Sequence, residues 1–465
     1  MIAAFSQVLQ IPLGDLCDVE GGNSAPQGEQ YFCNGTVPFV RMRDLGRYRK
    51  TTCLDQTDQK VNDQAIRSKR LKIFEPGCIL FPRSGSVALN HRAVLGTRAC
   101  IVSHIGILQN FRANIVPRYL YWFLVSYDMS QIAKQTTNLD LVNFSDIRRI
   151  NVPVPPLEEQ QRIVAEIEKQ FTRLDAGVGS LKRIQAALKR YRASVLKAAC
   201  EGRLVATEAE LARNENRRYE TGEELLQRIL KDRRERWNRK GKYKEPMMPH
   251  LPADEELPEG WAWASWDQVA LSQNGRPFRS AEYQRSGFKL LRPGNLHISG
   301  KVVWTNENTR YMPQCRADEN RDLIVRGREL IMNLTAQSLR DEFLGRVCLT
   351  SKDEECLLNQ RLARLTPIII LPEFALYLLK AWHFRRFVDQ LNTGSLIQHM
   401  FTSQLAEFTF PLPSLAEQQR IVAELERRLS LIEHIDAVAI KTVERVARLR
   451  EAALARAFTM REIDR

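Results

Sequence analysis

Apolar and polar residues follow a seven-residue pattern along the middle of the chain. The apolar positions of this pattern are Val164, Ile167, Phe171, Leu174, Val178, Leu181, Leu188 and Val195. Gln185 and Arg192 fill the two remaining positions of the same seam. A heptad repeat puts its apolar residues on one side of a helix and is typical of coiled coils. The pattern predicts a helix of about 40 residues, about 60 Å long.

A second and weaker heptad pattern follows later in the chain. Its apolar seam residues are Val422, Leu425, Leu429, Ile432, Val443 and Val446. Less apolar residues complete the seam: Asp436, Ala439, Arg450 and Ala453. We expect Ile435, Val438 and Leu449 to lie beside the seam and widen it. Because the apolar stripe of a helix must be buried, we expect the two helices to form an antiparallel pair with a pseudo-twofold axis.

Both helices open on nearly the same sequence. Residues 153–168 and 411–426 share the run that starts at Glu159 and recurs 258 positions later at Glu417, which indicates a tandem duplication. Pro156 suits the first turn of a helix, where a backbone N–H would be unpaired. Ser414 and Glu417 have the spacing of a capping box.

Each copy of this segment follows a stretch with the mixed pattern of an α/β domain. Residues 37–40 predict a strand, residues 75–82 a turn into a strand, and residues 117–124 a helix that opens on proline. Residues 326–331 and 372–379 repeat the turn and the helix, whereas the rest of the two domains diverges. We therefore expect an α/β (α+β) fold with two such domains separated by the long antiparallel coiled-coil helices. The predicted boundaries are 1–154 and 258–412 for the domains, 155–204 and 413–460 for the helices, and 205–257 for a linker.

The linker is rich in charge and in helix start signals. Thr207 with Glu210, and Thr221 with Glu224, each have capping-box spacing. Residues 213–244 contain twelve Lys and Arg against six Asp and Glu. We favour a solvated helical linker over an arm that contacts DNA.

Composition points to a polyanionic partner. The formal net charge is +14 and the pI about 9.4, which favours nucleic acid, although many proteins are basic without binding it. The nine cysteines contain no Cys-x-x-Cys pair, so we expect reduced thiols rather than disulfides or a zinc site. The chain has neither a signal-peptide pattern nor an apolar run long enough to cross a bilayer, which predicts a cytoplasmic protein without a membrane partner.

Catalytic and metal-binding motifs are missing from the sequence. It has no phosphate-binding G-x-x-x-x-G-K-[ST] loop and no Asn/Asp-Pro-Pro-Tyr/Phe loop of the kind that amino-methyltransferases use. The seven histidines have no metal-ligand spacing. We predict no catalytic residues, no metal site and no cofactor in this chain.

Polar and basic residues cluster after the predicted strands of both domains. Arginine, asparagine and glutamine can read base edges, and lysine and arginine can hold phosphates. The alternative for each residue is an ordinary exposed polar loop. The predicted DNA-binding residues are Arg41, Arg43, Lys50, Arg83, Ser84, Arg92, Arg292, Asn295, Asn333, Gln337 and Arg340.

The repeated segments resemble the conserved regions of the specificity subunit of type I restriction-modification enzymes. Residues 155–164 and 413–422 carry this resemblance, and residues 257–263 (Leu-Pro-Glu-Gly-Trp-Ala-Trp) are similar to the family's lead-in to a target recognition domain. The resemblance covers the whole chain in order. Residues 10–16 depart from the lead-in pattern, which leaves the start of the first domain open.

The resemblance implies a non-catalytic DNA-binding subunit. Each domain would read one half of a bipartite double-stranded DNA target, and the helices would set the spacing. Two modification subunits would supply S-adenosylmethionine, and two restriction subunits would supply ATP- and Mg-dependent steps. The near-identical helix starts would then dock the same partner twice, which predicts Glu159, Gln160, Arg162, Glu417, Gln418 and Arg420 as partner- or helix-docking residues.

Two other functions remain open from the sequence. The chain would be an interaction scaffold if it bound no DNA in the presence of its partner. It would be a fused restriction-methylation enzyme if it bound S-adenosylmethionine by itself.

Overall fold

A computed structural model describes residues 8–47, 52–84, 91–135, 140–236, 242–251, 256–337, 342–391 and 398–459. Packing divides the chain into two units. The first unit contains residues 1–182 and 439–465, and the second contains residues 183–438. Each unit thus holds one of the predicted α/β domains and part of each long helix.

The first unit contains thirteen short strands and five short helices among its described residues, followed by the start of the first long helix. The strands are β1 (Leu9–Pro12), β2 (Asp18–Gly21), β3 (Val37–Val40), β4 (Cys53–Leu54), β5 (Lys60–Val61), β6 (Ile73–Phe74), β7 (Ile79–Pro82), β8 (Ala93–Leu95), β9 (Ala99–Ile101), β10 (Ile105–Gln109), β11 (Lys134–Gln135), β12 (Asp140–Leu141) and β13 (Asn151–Val154). The helices are α1 (Leu13–Leu16), α2 (Met42–Arg47), α3 (Asp63–Ser68), α4 (Pro117–Ser126), α5 (Phe144–Arg148) and the long α6 (Leu157–Cys200).

The described part of the first domain contains two larger sheets, beside the two-stranded pairs β1-β13 and β11-β12. One has the strand order β2-β10-β7-β8-β4, and the other has the order β5-β3-β9-β6. The central strands are short apolar runs; every residue of β7 is buried, and Gly77 supplies the turn before it with a φ of 99°. The predicted strand at 37–40, the turn and strand at 75–82 and the helix at Pro117 are all confirmed.

The second unit has the same kinds of element. Its strands are β14 (Ala262–Ser265), β15 (Ala270–Asn274), β16 (Phe288–Leu291), β17 (Tyr311–Met312), β18 (Ile324–Val325), β19 (Leu330–Asn333), β20 (Thr335–Ala336), β21 (Val347–Leu349), β22 (Cys356–Leu358), β23 (Leu362–Pro367), β24 (Gln398–His399) and β25 (Thr409–Leu412). Its helices are α7 (Glu208–Asn214), α8 (Gly222–Glu235), α9 (Trp266–Val269), α10 (Gln314–Glu319), α11 (Pro372–Leu378), α12 (Trp382–Leu391), α13 (Thr402–Ala406) and the long α14 (Leu415–Thr459), which continues into the first unit.

Strand pairing in the second domain repeats that of the first. The order β15-β23-β19-β21 corresponds to β2-β10-β7-β8, and the order β17-β16-β22-β18 corresponds to β5-β3-β9-β6. The one parallel pair of each second sheet is also equivalent: Phe39 lies opposite Cys100 in one domain, and Leu290 opposite Leu357 in the other. The duplication predicted from the helix starts therefore extends through both domains, where the sequences have diverged.

The linker helices belong to the second unit and are not a solvated spacer. Both predicted capping boxes form, at Thr207 and Glu210 and at Thr221 and Glu224. The apolar side of α8 (Leu225, Leu226, Ile229) is buried in the core of the second domain. The expectation of a solvated linker was wrong for this helix, because its apolar residues fall on one face and gain stability from burial.

The long helices pack as the heptads predict. Within the second unit, Gln185 Nε2 donates to Asp436 Oδ1 at 2.9 Å, and Arg192 lies 3.5 Å from Glu433. From the first pair to the second, the residue number rises along α6 and falls along α14, so the two helices are antiparallel. Within the first unit, the helices also meet: the buried Leu454 packs in one cluster with Val164 and Ile167.

Polar residues complete the seam of α14. Asp436 faces the partner helix, and Arg450 pairs with Asp175 at 2.5 Å. Ile435, Val438 and Leu449, which we expected beside the seam, are instead 37%, 50% and 47% exposed. These side chains therefore stay partly accessible to solvent and do not widen the seam as expected.

Candidate nucleic-acid interface

Arg41 and Arg292 occupy the same turn in the two domains, directly after β3 and β16. The backbone N–H of Arg41 donates to Asp44 Oδ2 at 2.8 Å, and that of Arg292 donates to Asn295 Oδ1 at 2.9 Å. Asn295 is 1% exposed, so its amide holds the turn from inside. The Arg292 guanidinium lies 5.7 Å from the ring centre of Tyr283. In the second domain, this turn therefore holds an arginine whose side chain packs against the ring of Tyr283.

Aromatic rings also brace two predicted arginines of the first domain. The guanidinium of Arg41 lies 5.5 Å from the ring centre of Phe32, and that of Arg83 lies 4.3 Å from the ring centre of Phe144. Contact with the face of a ring attracts a cation and restricts its motion. Both side chains are only half-buried. They combine a fixed position with access to solvent.

The remaining exposed candidates are less constrained. Arg43 is 52% exposed and forms an ion pair with Asp58 at 3.2 Å. Gln337 is exposed at the end of the described segment that follows β20. Lys50 and Arg340 lie outside the described residues.

Two other predicted contact residues are enclosed. Arg92 is 4% exposed; burial lowers the pKa of its guanidinium to about 10, and Nη1 donates to the His91 carbonyl at 2.9 Å. Asn333 is fully buried, and its Nδ2 donates to the carbonyls of Thr335 and Phe343, both at 2.8 Å. These contacts give Asn333 a structural role in shaping the loop after β19.

Three chain segments meet at the end of β7 in the first domain; we call this meeting point the first junction (Arg83, Ser84, His104, Leu141, Val142). The Arg83 N–H donates to the His104 carbonyl, and the Val142 N–H donates to the Arg83 carbonyl, both at 2.9 Å. Ser84 pairs with Leu141 as an antiparallel bridge. The Ser84 hydroxyl lies 2.6 Å from His104 Nδ1.

The same meeting of three segments occurs at the end of β19; we call it the second junction (Leu334, Thr335, Arg361, His399, Met400). The Leu334 N–H donates to the Arg361 carbonyl at 2.9 Å, and the Met400 N–H donates to the Leu334 carbonyl at 3.0 Å. Thr335 pairs with His399 as Ser84 pairs with Leu141. The Thr335 hydroxyl lies 3.1 Å from His399 Nδ1.

The helix starts contain a buried glutamine that joins each long helix to its own domain. Gln160 is fully buried, and its Oε1 accepts from the Val116 N–H at 2.8 Å. Its Nε2 donates to the carbonyls of Asn114 at 3.0 Å and Pro155 at 2.8 Å. Since Val116 precedes α4, this single side chain ties the start of α6 to the start of α4.

Gln418 makes the equivalent connection in the second unit. It is also fully buried; its Oε1 accepts from the Leu371 N–H, and its Nε2 donates to the Pro413 carbonyl, both at 3.1 Å. Leu371 precedes α11 as Val116 precedes α4. The identity of these two glutamines is therefore explained by contacts inside the chain.

The charged residues beside these glutamines differ between the copies. In α6, Arg162 is 73% exposed and donates through Nε and Nη2 to the Glu159 carboxylate, both at 2.7 Å. In α14, the matching Arg420 donates to the Glu208 carboxylate of α7 and is 31% exposed. The two helix starts consequently present different surfaces, contrary to the expected equivalence.

Helix α7 covers the second helix start through Glu417. The Glu417 carboxylate accepts from the Glu208 N–H and from Trp261 Nε1, both at 3.0 Å. Burial raises the pKa of this carboxyl group. Ser414 Oγ accepts from the Glu417 N–H at 3.2 Å, so the cap exists, but the carboxylate is directed to α7 and Trp261 rather than back to Ser414.

The described ranges contain no group of three or more His, Cys, Asp or Glu side chains placed to hold a metal ion. Within the same ranges, no helix combines the length and the hydropathy that a membrane span requires.

Comparison with protein-family models identifies both halves of the chain. The model of the type I restriction modification DNA specificity domain matches residues 8–190 and again residues 258–441. The chain belongs to this family. Both matches begin before a mixed α/β domain and end inside a long helix, so each repeat is one specificity domain.

Curated members of the specificity family match along different lengths. The type I restriction enzyme MjaIX specificity subunit of Methanocaldococcus jannaschii is 27% identical over 187 residues, which cover 40% of this chain and 41% of that subunit. The EcoBI specificity subunit of Escherichia coli is 22% identical over 461 residues, which cover 97% of this chain and 85% of that subunit. The chain spans less than half the length of the MjaIX subunit that it matches.

A solved structure shares the fold along the whole chain. It describes complex assembly and conformational transition of the type I R-M system, and one of its chains matches with a TM-score of 0.60 at 18% identity. The match covers 97% of both chains. The specificity-domain architecture of two mixed α/β domains and two long helices is therefore present here.

Sequence reasoning missed part of the second junction. His399 is one of the seven histidines that lack metal-ligand spacing, and neither Arg361 nor Phe401 was among the predicted DNA-binding residues. Phe401 is 58% exposed, and its ring centre lies 4.7 Å from that of His399. The available signal was the position of His399 just before a short helix, the same position that Leu141 has before α5.

Proposed function

We propose that this chain is the sequence-specific DNA-binding subunit of a type I restriction-modification complex. One observation carries the proposal: the specificity-domain model matches the chain twice, on two domains with the same strand order and different surface residues. Two similar but non-identical readers suit a bipartite target whose halves differ. Each domain would read one half, and the antiparallel helices would set the distance between the halves.

In this proposal the chain itself is not catalytic and holds no cofactor. Two modification subunits would bind S-adenosylmethionine and methylate adenine, and two restriction subunits would use ATP and Mg. The net charge of +14 supports a double-stranded DNA partner, since basic residues that neutralise phosphates release counterions on binding. The complex would act in the cytoplasm, as the sequence predicts.

Exposed apolar residues on the long helices support docking of a protein partner. Leu431, Ile435 and Val438 are 53%, 37% and 50% exposed, and their spacing places them on one face of α14. Contiguous apolar surface on a helix is typical of protein interfaces. We propose that this face, which we call the α14 stripe, receives a modification subunit. At the helix starts, a modification subunit would contact Arg162 of α6 only. The equivalent Arg420 of α14 is engaged by Glu208 of α7.

The decisive experiment is to sequence methylated DNA from cells that express this chain with its cognate modification subunit. We expect adenine methylation at one bipartite motif and no methylation when this chain is omitted. Replacing residues 1–154 with the first domain of another family member should change one half of the motif only. Methylation of a continuous motif, or a change in both halves, would refute the proposal.

Assembly needs a separate measurement. Ile435→Glu with Val438→Glu should reduce co-purification of the modification subunit, whereas Glu444→Lys, a charge change on the same helix, should not. S-adenosylmethionine binding by the isolated chain would favour the fused-enzyme alternative, and failure of the assembled complex to bind any DNA would favour a scaffold.

A further inference from the structure

The two junctions carry the same chemical pair built from different residues. Ser84 and Thr335 are equivalent positions, because each follows a central strand by the same step and pairs with an equivalent bridge. Each hydroxyl meets an imidazole Nδ1, at 2.6 Å and 3.1 Å. The imidazole comes from the strand-connecting turn in the first domain (His104) and from the bridge partner in the second (His399).

This coincidence is not explained by the shared fold alone. At the position equivalent to His104 the second domain has Arg361, and at the position equivalent to His399 the first domain has Leu141. The pair is thus present in both domains although neither histidine is matched by a histidine. A surface hydrogen bond of this kind adds little to stability.

Both pairs are accessible from solvent. His104 and His399 are exposed, and their hydroxyl partners are half-buried. With Nδ1 engaged by the hydroxyl, the ring is held in one orientation, and Nε2 is the atom left to meet a ligand. In the tautomer in which the hydroxyl donates to Nδ1, Nε2 carries the ring hydrogen and can donate to a phosphate oxygen, a contact that side-chain donors commonly make in protein–DNA complexes.

The second junction adds two further exposed groups. Arg361, whose carbonyl accepts from the Leu334 N–H, has an exposed side chain, and the exposed Phe401 ring packs edge-on against His399 at 4.7 Å between ring centres. Arginine donates two hydrogen bonds to guanine O6 and N7, and phenylalanine contacts the thymine methyl group. At the positions equivalent to Arg361 and Phe401 the first junction has His104 and Asn143, and its arginine–ring pair is built elsewhere, from Arg83 and Phe144. The two domains therefore differ in which positions carry the arginine and the ring.

We propose that the two junctions are the DNA-contacting centres of the two readers. In this assignment, which rests on the proposed function, each hydroxyl–imidazole pair holds a backbone phosphate at an equivalent point of its half-site. Arg361 and Phe401 read bases of the half-site that belongs to the second domain. The shared pair positions the DNA, and the unshared residues specify its sequence.

The test uses the complex of the full chain with its modification subunit. Binding is measured by fluorescence anisotropy on a duplex that carries the motif found by methylation sequencing. His104→Ala, His399→Ala, Ser84→Ala and Thr335→Val should each weaken binding roughly tenfold, the effect of losing one contact of about 1.4 kcal/mol, without changing the methylated motif. Arg361→Ala and Phe401→Ala should relax base preference only in the half assigned to the second domain.

His297 provides a matched control. Its Nδ1 lies 2.9 Å from the Ser299 hydroxyl in an exposed turn of the same domain, outside the junction. His297→Ala should leave both affinity and motif unchanged, and melting temperatures of all variants should report intact folding. Wild-type affinity in the junction variants, or an equal loss in His297→Ala, would overturn the assignment.

The proposed function and the junction assignment fail in different ways. A wild-type complex that methylates no bipartite motif would refute the proposed function and the assignment with it. A bipartite motif that stays unchanged in Arg361→Ala and Phe401→Ala would leave the function standing and refute base reading at the second junction.

Discussion

The buried amide of Gln160 links the start of α6 to the first domain. Removing this amide tests how much the link contributes to the stability of that contact. Gln160→Met keeps the length of the side chain and removes its polar atoms. The change leaves the Val116 N–H and the carbonyls of Asn114 and Pro155 without the partners they have at 2.8, 3.0 and 2.8 Å. Because the site is fully buried, water does not replace these bonds without further opening of the structure.

The magnitude follows from the number of bonds. A typical hydrogen bond contributes about 1 kcal/mol net, so three bonds predict a loss of about 3 kcal/mol. That loss corresponds to roughly a 150-fold change in the equilibrium between the state in which the start of α6 is packed on the first domain and the state in which this contact is open. Gln418→Met removes two bonds to Leu371 and Pro413 and should cost about 2 kcal/mol.

Hydrogen exchange is the appropriate measurement, because unfolding of a chain with two packing units need not be two-state. The Val116 amide should lose protection in Gln160→Met, and the Leu371 amide should lose it in Gln418→Met. Gln170→Met is the control: Gln170 is exposed on the same helix and donates to Glu166 at 2.8 Å. If the Val116 amide exchanged as slowly in Gln160→Met as in the control, the buried amide would not be what joins helix and domain.

Three other results are expected from the structure. Burial alone would raise the pKa of Glu208, but hydrogen bonds from Arg420 and Arg217 lower it below the ordinary 4.5; its stabilising contribution is therefore present at neutral pH and lost as the pH falls through the folded-state pKa. Glu208→Gln should lower the free energy of local opening around α7 by about 1.5 kcal/mol at pH 7, and the difference from wild type should shrink below pH 4.5, as hydrogen exchange of the α7 amides at several pH values would show. Cys33, Cys53 and Cys315 are exposed and should react quickly with a thiol reagent, whereas Cys200, whose pKa burial raises to about 12, should react only after denaturation; rapid labelling of all thiols would contradict this packing. Replacing Gln185 and Asp436 together by leucine should raise the melting temperature, because the seam then loses a polar pair. Gln185→Leu alone should lower the melting temperature, because it leaves Asp436 without its partner in the seam. Equal shifts in the two variants would argue against the contact between these side chains.

The duplication and the long helices were predictable because their signals are local. Heptad spacing and a repeated opening segment lie within short stretches of sequence, and α6 and α14 begin within two residues of the predicted boundaries. The matching strand order of the two domains was predictable only in outline. Few residues survive between the copies, since many apolar side chains can fill equivalent core positions.

The candidate site was predicted in part. The guanidinium groups of Arg41, Arg83 and Arg292 pack against aromatic rings at turns that solvent can reach. Asn295 and Asn333 are buried instead, and their side chains form hydrogen bonds inside their own loops. Residue type alone does not separate these cases, because an amide is equally suited to bind a base edge or a backbone carbonyl. Which of the two it meets depends on chain segments that are distant in sequence.

The helix starts show the same division. Sequence determined that Gln160 and Gln418, or Arg162 and Arg420, are copies of one another, since identity between repeats is visible without a structure. Only the tertiary structure decided that the glutamines face their own domains and that α7 lies on Arg420 while Arg162 stays exposed. The physical reason is that burial and hydrogen-bond partners are properties of non-local packing: identical residues acquire different roles when a segment such as α7 is present beside only one of them.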